Sequence, residues 1–329
     1  MKVLLTGVAG FIGCHVAEAL LRDGHHVVGI DNLNDYYDPL LKQDRLARLR
    51  KQSAFIFERL DLSDAADVEA VVSRHQDTTH VIHLAAQAGV RHSLVDPYAY
   101  VKSNVLGHVV LLEAVRKLPA LEHIVYASSS SVYGLNRDLP FRESDRVDRP
   151  GSFYAVTKRT GELTAEAYAH LYGLRQTGLR FFTVYGPWGR PDMAYYKFAQ
   201  AIMAGEPLTL YAGSALARDF TYIDDIVSGV LCVLRYPPGV GEARLLNLGG
   251  DSPTPVRRLV ELLELHLGCE ARIVERARPR SDVESTWSCL EKMEGLTGWR
   301  PRVSLESGVC AFAEWFREYA RGEKKLCGE

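Results

Sequence analysis

Short apolar runs recur along the first half of the chain: Val3-Leu4-Leu5, His26-Val27-Val28-Gly29-Ile30, Phe55-Ile56-Phe57, His80-Val81-Ile82-His83-Leu84 and His123-Ile124-Val125-Tyr126. Each is too short for a helix and lacks the strict alternation of a strand with one wet face, so each reads as a strand buried on both sides. Between them, amphipathic patterns with helical spacing cover 11–23, 64–75, 97–117 and 152–172. The punctuation agrees. Asp96-Pro97 is a capping residue followed by proline at the first helical position, and Gly24 and Gly173 stand where a left-handed residue closes a helix. Buried strands alternating with helices predict right-handed βαβ units and an α/β fold with a doubly wound parallel sheet.

Past residue 180 the alternation fails. Pro187, Pro191, Pro207, Pro237, Pro238, Pro253 and Pro255 cut the chain into short elements, which predicts a smaller, loop-rich C-terminal α/β domain suited to substrate specificity. Leu245-Leu246-Asn247-Leu248 before Gly249-Gly250 reads as a strand returning to the first sheet. The expected division is a first domain over 1–180, with about 221–250 returning to it, a second over 181–220 and 251–322, and a flexible tail over 323–329. With 329 residues, 47% hydrophobic and 24% charged, the chain has globular composition, which excludes wholesale disorder. The net charge of −2 gives no general attraction to nucleic acid or to anionic membranes, and neither is expected as a partner. No apolar run approaches the roughly 20 residues that span a bilayer. The opening MKVLLTGVAG is broken at Thr6 and Gly7 and lacks a cleavage pattern, so a cytoplasmic location is expected. The six cysteines include no CxxC or Cys/His cluster, and neither a disulfide scaffold nor a metal is expected.

Candidate chemistry begins at Gly7-Val8-Ala9-Gly10-Phe11-Ile12-Gly13, between the first strand and the first helix. Glycines there allow a sharp turn and close approach of a pyrophosphate, and the helix N-terminus offers free N–H groups. Asp31, 18 residues beyond Gly13 at the end of the second strand, would accept the ribose hydroxyls and repel a 2′-phosphate, which selects NAD over NADP. Asp61-Leu62 after the third strand reads either as a contact to the adenine edge or as a helix cap near Ser63. Ala85-Ala86 after the fourth strand are small enough for a dinucleotide to lie against the backbone. The expected cofactor set is Gly7, Gly10, Phe11, Ile12, Gly13, Asp31, Asn32, Asp61, Leu62, Leu84, Ala85, Ala86 and Lys158, in a Rossmann domain.

Tyr154 and Lys158 form YxxxK, a spacing that puts both on one helix face. A neighbouring ammonium favours phenolate and would make the tyrosine a usable base. Tyr98 and Lys102 share the spacing, so context must decide. Ser128-Ser129-Ser130-Ser131 follows the strand ending near Tyr126 and so lies at the carboxyl edge of the sheet, where ligands bind. Tyr154 starts the next helix, whereas Tyr98 has no such strand end before it. Tyr154 and Lys158 are therefore read as catalytic, and Tyr98 and Lys102 as a surface pair. His25, His26, His80 and His83 lack acidic or cysteine partners and read as ordinary packing. Trp287, Trp299 and Trp315 read as support for the smaller domain.

TGxxGxxG, SSSSVYG, YxxxK and Arg218-Asp219-Phe220-Thr221-Tyr222-Ile223-Asp224-Asp225 together resemble the extended short-chain dehydrogenase/reductase (NAD-dependent epimerase/dehydratase) family acting on nucleotide sugars. The stretches Asp31-Asn32-Leu33-Asn34-Asp35-Tyr36-Tyr37-Asp38 and Leu179–Met193 narrow this to a resemblance to UDP-glucuronate 4-epimerases. Dehydratases and decarboxylases of the family carry acids before Val-Tyr-Gly, where this chain has Ser130 and Ser131. The resemblance implies that Tyr154 takes the O4 proton while C4 gives hydride to NAD, with Ser129 relaying the proton and Lys158 holding the nicotinamide ribose. A 4-keto sugar then turns over and takes the hydride back on its other face. Ser130, Thr183 and Arg190 would hold the uronate carboxylate, with Arg190 alternatively a surface residue. Arg218 would contact the diphosphate, Tyr211 would lie near uracil, and Asp282 would hold a ribose hydroxyl. Pro279-Arg280-Ser281-Asp282 departs from the family's Arg-x-Gly-Asp or Gln-x-Gly-Asp, so Arg278 or Arg280 would have to compensate. The helices at 97–117 and 152–172 resemble the pair through which the family forms homodimers, although they could equally pack within one chain. A UDP-hexose 4-epimerase is the alternative; a decarboxylase or a non-catalytic NAD-sensing protein fits the residues less well.

Overall fold

The computed structural model describes residues 1–211, 216–277 and 284–326. Arg278, Arg280 and Asp282 lie outside the described residues. The first half runs β1 (Lys2–Thr6), α1 (Phe11–Arg22), β2 (His26–Asp31), α2 (Pro39–Leu49), β3 (Phe55–Arg59), α3 (Ala65–Arg74), β4 (His80–His83), α4 (Pro97–Tyr100), α5 (Gly107–Val115), β5 (His123–Ser129), α6 (Phe153–Tyr172) and β6 (Gln176–Phe181). A π-helical stretch, Val101–Leu106, joins α4 to α5, so the helix expected over 97–117 is continuous but wider in the middle. Capping explains several of these starts. Asp96 accepts the Ala99 amide at 3.2 Å with Pro97 at the first position, and Gly173 closes α6 at φ 71°.

The chain continues through β7 (Thr183–Tyr185), α7 (Ala194–Ala204), β8 (Pro207–Tyr211), β9 (Ala217–Tyr222), α8 (Ile223–Leu234), β10 (Ala243–Leu248), β11 (Pro253–Pro255), α9 (Val256–Leu267), β12 (Arg272–Arg276), α10 (Glu291–Thr297) and α11 (Leu305–Leu326). The last helix thus extends four residues into the stretch read from sequence as a tail. The main sheet has seven strands in the order β10-β6-β5-β4-β1-β2-β3, all parallel. Its last strand, β10, pairs with β6 from Ala243↔Gln176 to Leu248↔Phe181, so the chain leaves the sheet after β6 and comes back to finish it. Two smaller sheets, β11-β9-β7 and β12-β8, belong to the C-terminal part.

Two buried cores flank the main sheet. One joins Val16, Leu20, Ile226, Val230 and Phe312, from α1, α8 and α11. The other joins Val68, Val72, Leu111 and Val115 of α3 and α5 to the opposite face. In-register pairing brings Thr6 beside Ile30 and His83, and Ser129 beside Phe181. The strand ends therefore share one edge, and the loops leaving it face the C-terminal elements.

Candidate active site

Those loops enclose a cavity of about 1110 Å³, larger than the usual pocket for one small ligand. At its cofactor end, Gly7 has φ +75°, and a Cβ there would fall 2.6 Å from the Ala85 amide nitrogen. A Cβ on Gly13 would strike the Gly7 carbonyl oxygen, so glycine lets α1 begin directly against the loop. Gly10 stands at the N-cap of α1 and no side chain caps the helix. The first-turn amides thus have no intrahelical acceptor and can receive an anion. Asp31 is half-buried at the same wall, its Oδ2 accepting the Ala9 amide at 3.1 Å and its Oδ1 the Leu33 amide at 2.9 Å. Burial pushes this carboxyl up from its ordinary value, against the opposing pull of those amides and of Lys42 and Arg45. Each oxygen keeps a further acceptor site. The backbone cradle and this acceptor fit a dinucleotide.

The rest of the expected cofactor set, from Phe11 and Ile12 through Asn32, Asp61, Leu62, Leu84, Ala85 and Ala86 to Lys158, also lines the cavity. Asp61 does not cap α3; Asp64 does, accepting from the Ala66 and Asp67 amides. Asp61 instead accepts the Ser63 amide and hydroxyl at 3.0 and 2.8 Å and pairs with Lys102 at 3.1 Å.

At the chemical end, Ser152 caps α6 by accepting the Ala155 amide at 3.1 Å, which sets Tyr154 in the first turn with its ring edge-on to Tyr100, centroids 6.0 Å apart. Ser129 ends β5; its hydroxyl donates to Ser131 Oγ at 3.1 Å and accepts the Ser131 amide. Lys158 is buried and donates to the Ala127 carbonyl at 2.8 Å. Its Nζ lies 5.9 Å from the Tyr154 ring centre. Burial pulls the ammonium down to about 8. The YxxxK spacing thus does put the Lys158 ammonium on the Tyr154 side of α6. Burial raises the Tyr154 phenol above its ordinary value, and the groups that oppose burial are the Ser129 hydrogen bond and the Arg190 guanidinium. By contrast Tyr98 is 83% exposed and Lys102 turns to Asp61.

Ser129, Ser130, Thr183, Arg190, Tyr211 and Arg218 all line the same cavity. Arg190 is no surface arginine: it sits half-buried in a bidentate pair with Asp192, 3.0 Å from Nε to Oδ1. Arg218 donates to the Ala217 and Glu284 carbonyls at 2.8 and 3.1 Å. Sequence reasoning passed over Arg91, which lines the cavity and spans to the C-terminal part, donating to the Tyr211 hydroxyl at 3.2 Å. Its place just after β4, on the ligand-binding edge of the sheet, was the available signal. Tyr36 and Asp192 were also passed over, although both lie in the two stretches that narrow the resemblance. Among the described residues, no group of three or more His, Cys, Asp or Glu could hold a metal, and no helix is long and apolar enough to cross a membrane.

Comparison with known proteins places these features in context. UDP-glucuronate 4-epimerase 3 of Arabidopsis thaliana is 47% identical over 98% of this chain and 78% of its own. Protein CapI of Staphylococcus aureus is 42% identical over 97% of this chain and 99% of its own. The crystal structure of UDP-glucuronic acid 4-epimerase from Bacillus cereus, in complex with UDP-glucuronic acid and NAD, superposes with a TM-score of 0.90 at 34% identity, covering 97% of this chain and 100% of that one. The family model described as the NAD dependent epimerase/dehydratase family matches residues 3–249, and with the glycine cradle, the seven-stranded parallel sheet and the Ser129–Tyr154–Lys158 group in place, the chain belongs to that family.

Proposed function

We propose that this protein is a 4-epimerase interconverting UDP-glucuronate and UDP-galacturonate. The observation that carries the reading is one cavity edge bearing Ser129, Tyr154 and Lys158 beside Thr183 and Arg190, with serines rather than acids at 130 and 131. NAD held along the Gly7–Gly13 cradle, with Asp31 on its adenosine ribose, supplies a hydride acceptor that later returns the hydride. Tyr154 takes the proton from the sugar O4, and Ser129 hydrogen-bonds that oxygen and relays the proton. Lys158, anchored on the Ala127 carbonyl, holds the nicotinamide ribose. Arg218 and Tyr211 take the diphosphate and the uridine end. A 4-keto-uronate is a β-keto acid that loses CO2 when the breaking C–C bond aligns with the ketone π system. Ser130, Thr183 and Arg190 hold the carboxylate out of that alignment, Arg190 through a charge-assisted bond.

The test is incubation of purified protein with UDP-glucuronate, without added cofactor, and chromatographic resolution of the products. UDP-galacturonate is the expected product. Equal turnover of UDP-glucose would defeat the carboxylate assignment, and a UDP-pentose as main product would make the protein a decarboxylase.

We also infer a homodimer. The helical run from α4 to α5 and helix α6 leave Tyr98, Val101, Leu106, Val156, Leu163 and Leu171 exposed, between 38% and 83%. Such a spread of apolar side chains on neighbouring helices suits a second copy of the chain. Sedimentation should give twice the chain mass, and a monomer at micromolar concentration would refute the inference.

A further inference from the structure

The two stretches that narrowed the family resemblance meet at the cavity. Tyr36, in the loop after β2, donates from its hydroxyl to Asp192 Oδ2 at 3.2 Å. Asp192 in turn receives Arg190 Nε at 3.0 Å and Nη2 at 2.5 Å. All three residues line the cavity that holds Tyr154. The backbone just before Arg190 is fixed from the same side. The fully buried Arg45 donates to the Trp188 carbonyl at 2.6 Å and the Gly189 carbonyl at 2.9 Å, and also reaches the Ala9 carbonyl and the Tyr37 hydroxyl at 3.0 and 2.7 Å. Arg190 is thus held at both main chain and side chain, and its Nη1 forms no hydrogen bond to another described residue.

We propose that Asp192, held by Tyr36, is a positioning residue for the epimerisation: it clamps Arg190 through Nε and Nη2, presents Nη1 to the sugar carboxylate and keeps the guanidinium beside Tyr154. The assignment rests on the function proposed above. The groups facing the Tyr154 phenol are Ser129 from β5, Tyr100 from α4, Lys158 one turn on in α6, and Arg190 with Asp192 from the loop after β7. Arg190 favours the phenolate and Asp192 opposes it. Losing the Asp192 carboxylate loosens Arg190, which lowers kcat, and takes the guanidinium from beside the phenol, which then ionises at higher pH; removal of a negative charge with Arg190 still in place would move it the other way.

The experiment compares Asp192→Asn, Asp192→Glu and Tyr36→Phe with the unaltered protein. Asp192→Asn should lower kcat for UDP-glucuronate by about tenfold or more at pH 7 and move the acid limb of the kcat profile to higher pH. Asp192→Glu should restore the limb and part of the rate. Tyr36→Phe, which keeps the ion pair, should show a smaller loss, and it serves as the second test should Asp192→Asn fail to fold. Phenolate absorbance, taken as the difference from a Tyr154→Phe partner in each background, reads the same shift without turnover. Unchanged kcat, or a phenolate titration that stays put or moves to lower pH, in Asp192→Asn, or wild-type kinetics in Tyr36→Phe when only that variant folds, overturns the positioning role. Inactivity of the unaltered protein on UDP-glucuronate overturns the function itself, while the absorbance measurement still judges the clamp.

Discussion

Tyr154→Phe should lower kcat by about 10²–10⁴, the usual contribution of a positioned acid–base group, and leave UDP-sugar binding nearly unchanged. Phenylalanine keeps the ring that packs edge-on to Tyr100, so the α6 start and the cavity wall should persist. What disappears is the hydroxyl, and with it the only group of the trio able to take the O4 proton directly. Ser129 cannot replace it, because its hydroxyl lacks a stronger base behind it: its partner is Ser131 Oγ. Lys158 cannot either, since its ammonium is spent on the Ala127 carbonyl. Steady-state turnover and calorimetric titration with UDP-glucuronate, run on the same preparation, separate chemistry from binding. Turnover at the unaltered rate would remove Tyr154 from the mechanism.

Glu162→Ala should destabilise the fold by about 3–5 kcal/mol, the cost of stranding one member of a buried ion pair. Glu162 and Arg180 are 0% and 1% exposed, joined at 2.8 and 2.9 Å. The carboxylate also accepts the Ser128 hydroxyl at 2.6 Å and Arg159 at 2.9 Å. Arg180 lies over the Tyr133 ring at 4.8 Å, its side chain shut off from bulk solvent. Arg180→Met added to Glu162→Ala should recover much of the loss, because the stranded cation is gone. Burial alone would raise the Glu162 carboxyl, but Arg180 and the hydroxyl and guanidinium partners hold it below its ordinary value. A depressed carboxyl contributes stability above its unfolded pKa and loses it as pH falls through the folded one. The gap between parent and variant in denaturant midpoint should therefore narrow on acidification. A variant that unfolds at the parent's midpoint at neutral pH would show the pair to be energetically idle. Glu162 also stands one turn beyond Lys158 and favours its charged form, so the same substitution should weaken turnover.

The parallel sheet was legible because its inner strands are buried on both faces and leave no polar alternation to confuse the period; the edge strand β3, read the same way from sequence, is half-exposed, with Ile56 45% exposed, because it has a neighbour on one side only. The helix at Pro39–Leu49 was not legible. Its inner face carries Lys42 and Arg45 among Leu41, Leu46 and Leu49, and two cations on a buried stripe hide the amphipathic pattern. At the site, Gly7, Gly13, Asp31, Ser129, Tyr154 and Lys158 could be read locally, since each follows a strand end or a helix start. The partner that opposes burial at Tyr154 could not. Arg190 comes from a loop 36 residues away in sequence, and its bond to Asp192 is in turn fixed by Tyr36, 156 residues from that carboxylate. Spacing rules reach one helical turn; this electrostatic arrangement depends on tertiary closure.

The return of β10 to β6 has a consequence for biogenesis. Until Leu248 has left the ribosome, β6 presents an open row of amides and carbonyls, and every one of its residues from Gln176 to Phe181 is of a kind that ends up buried. Such an edge is a template for adventitious pairing. A nascent chain arrested near residue 180, or a recombinant fragment cut there, should precipitate or seek a holdase, although it contains the entire nucleotide cradle.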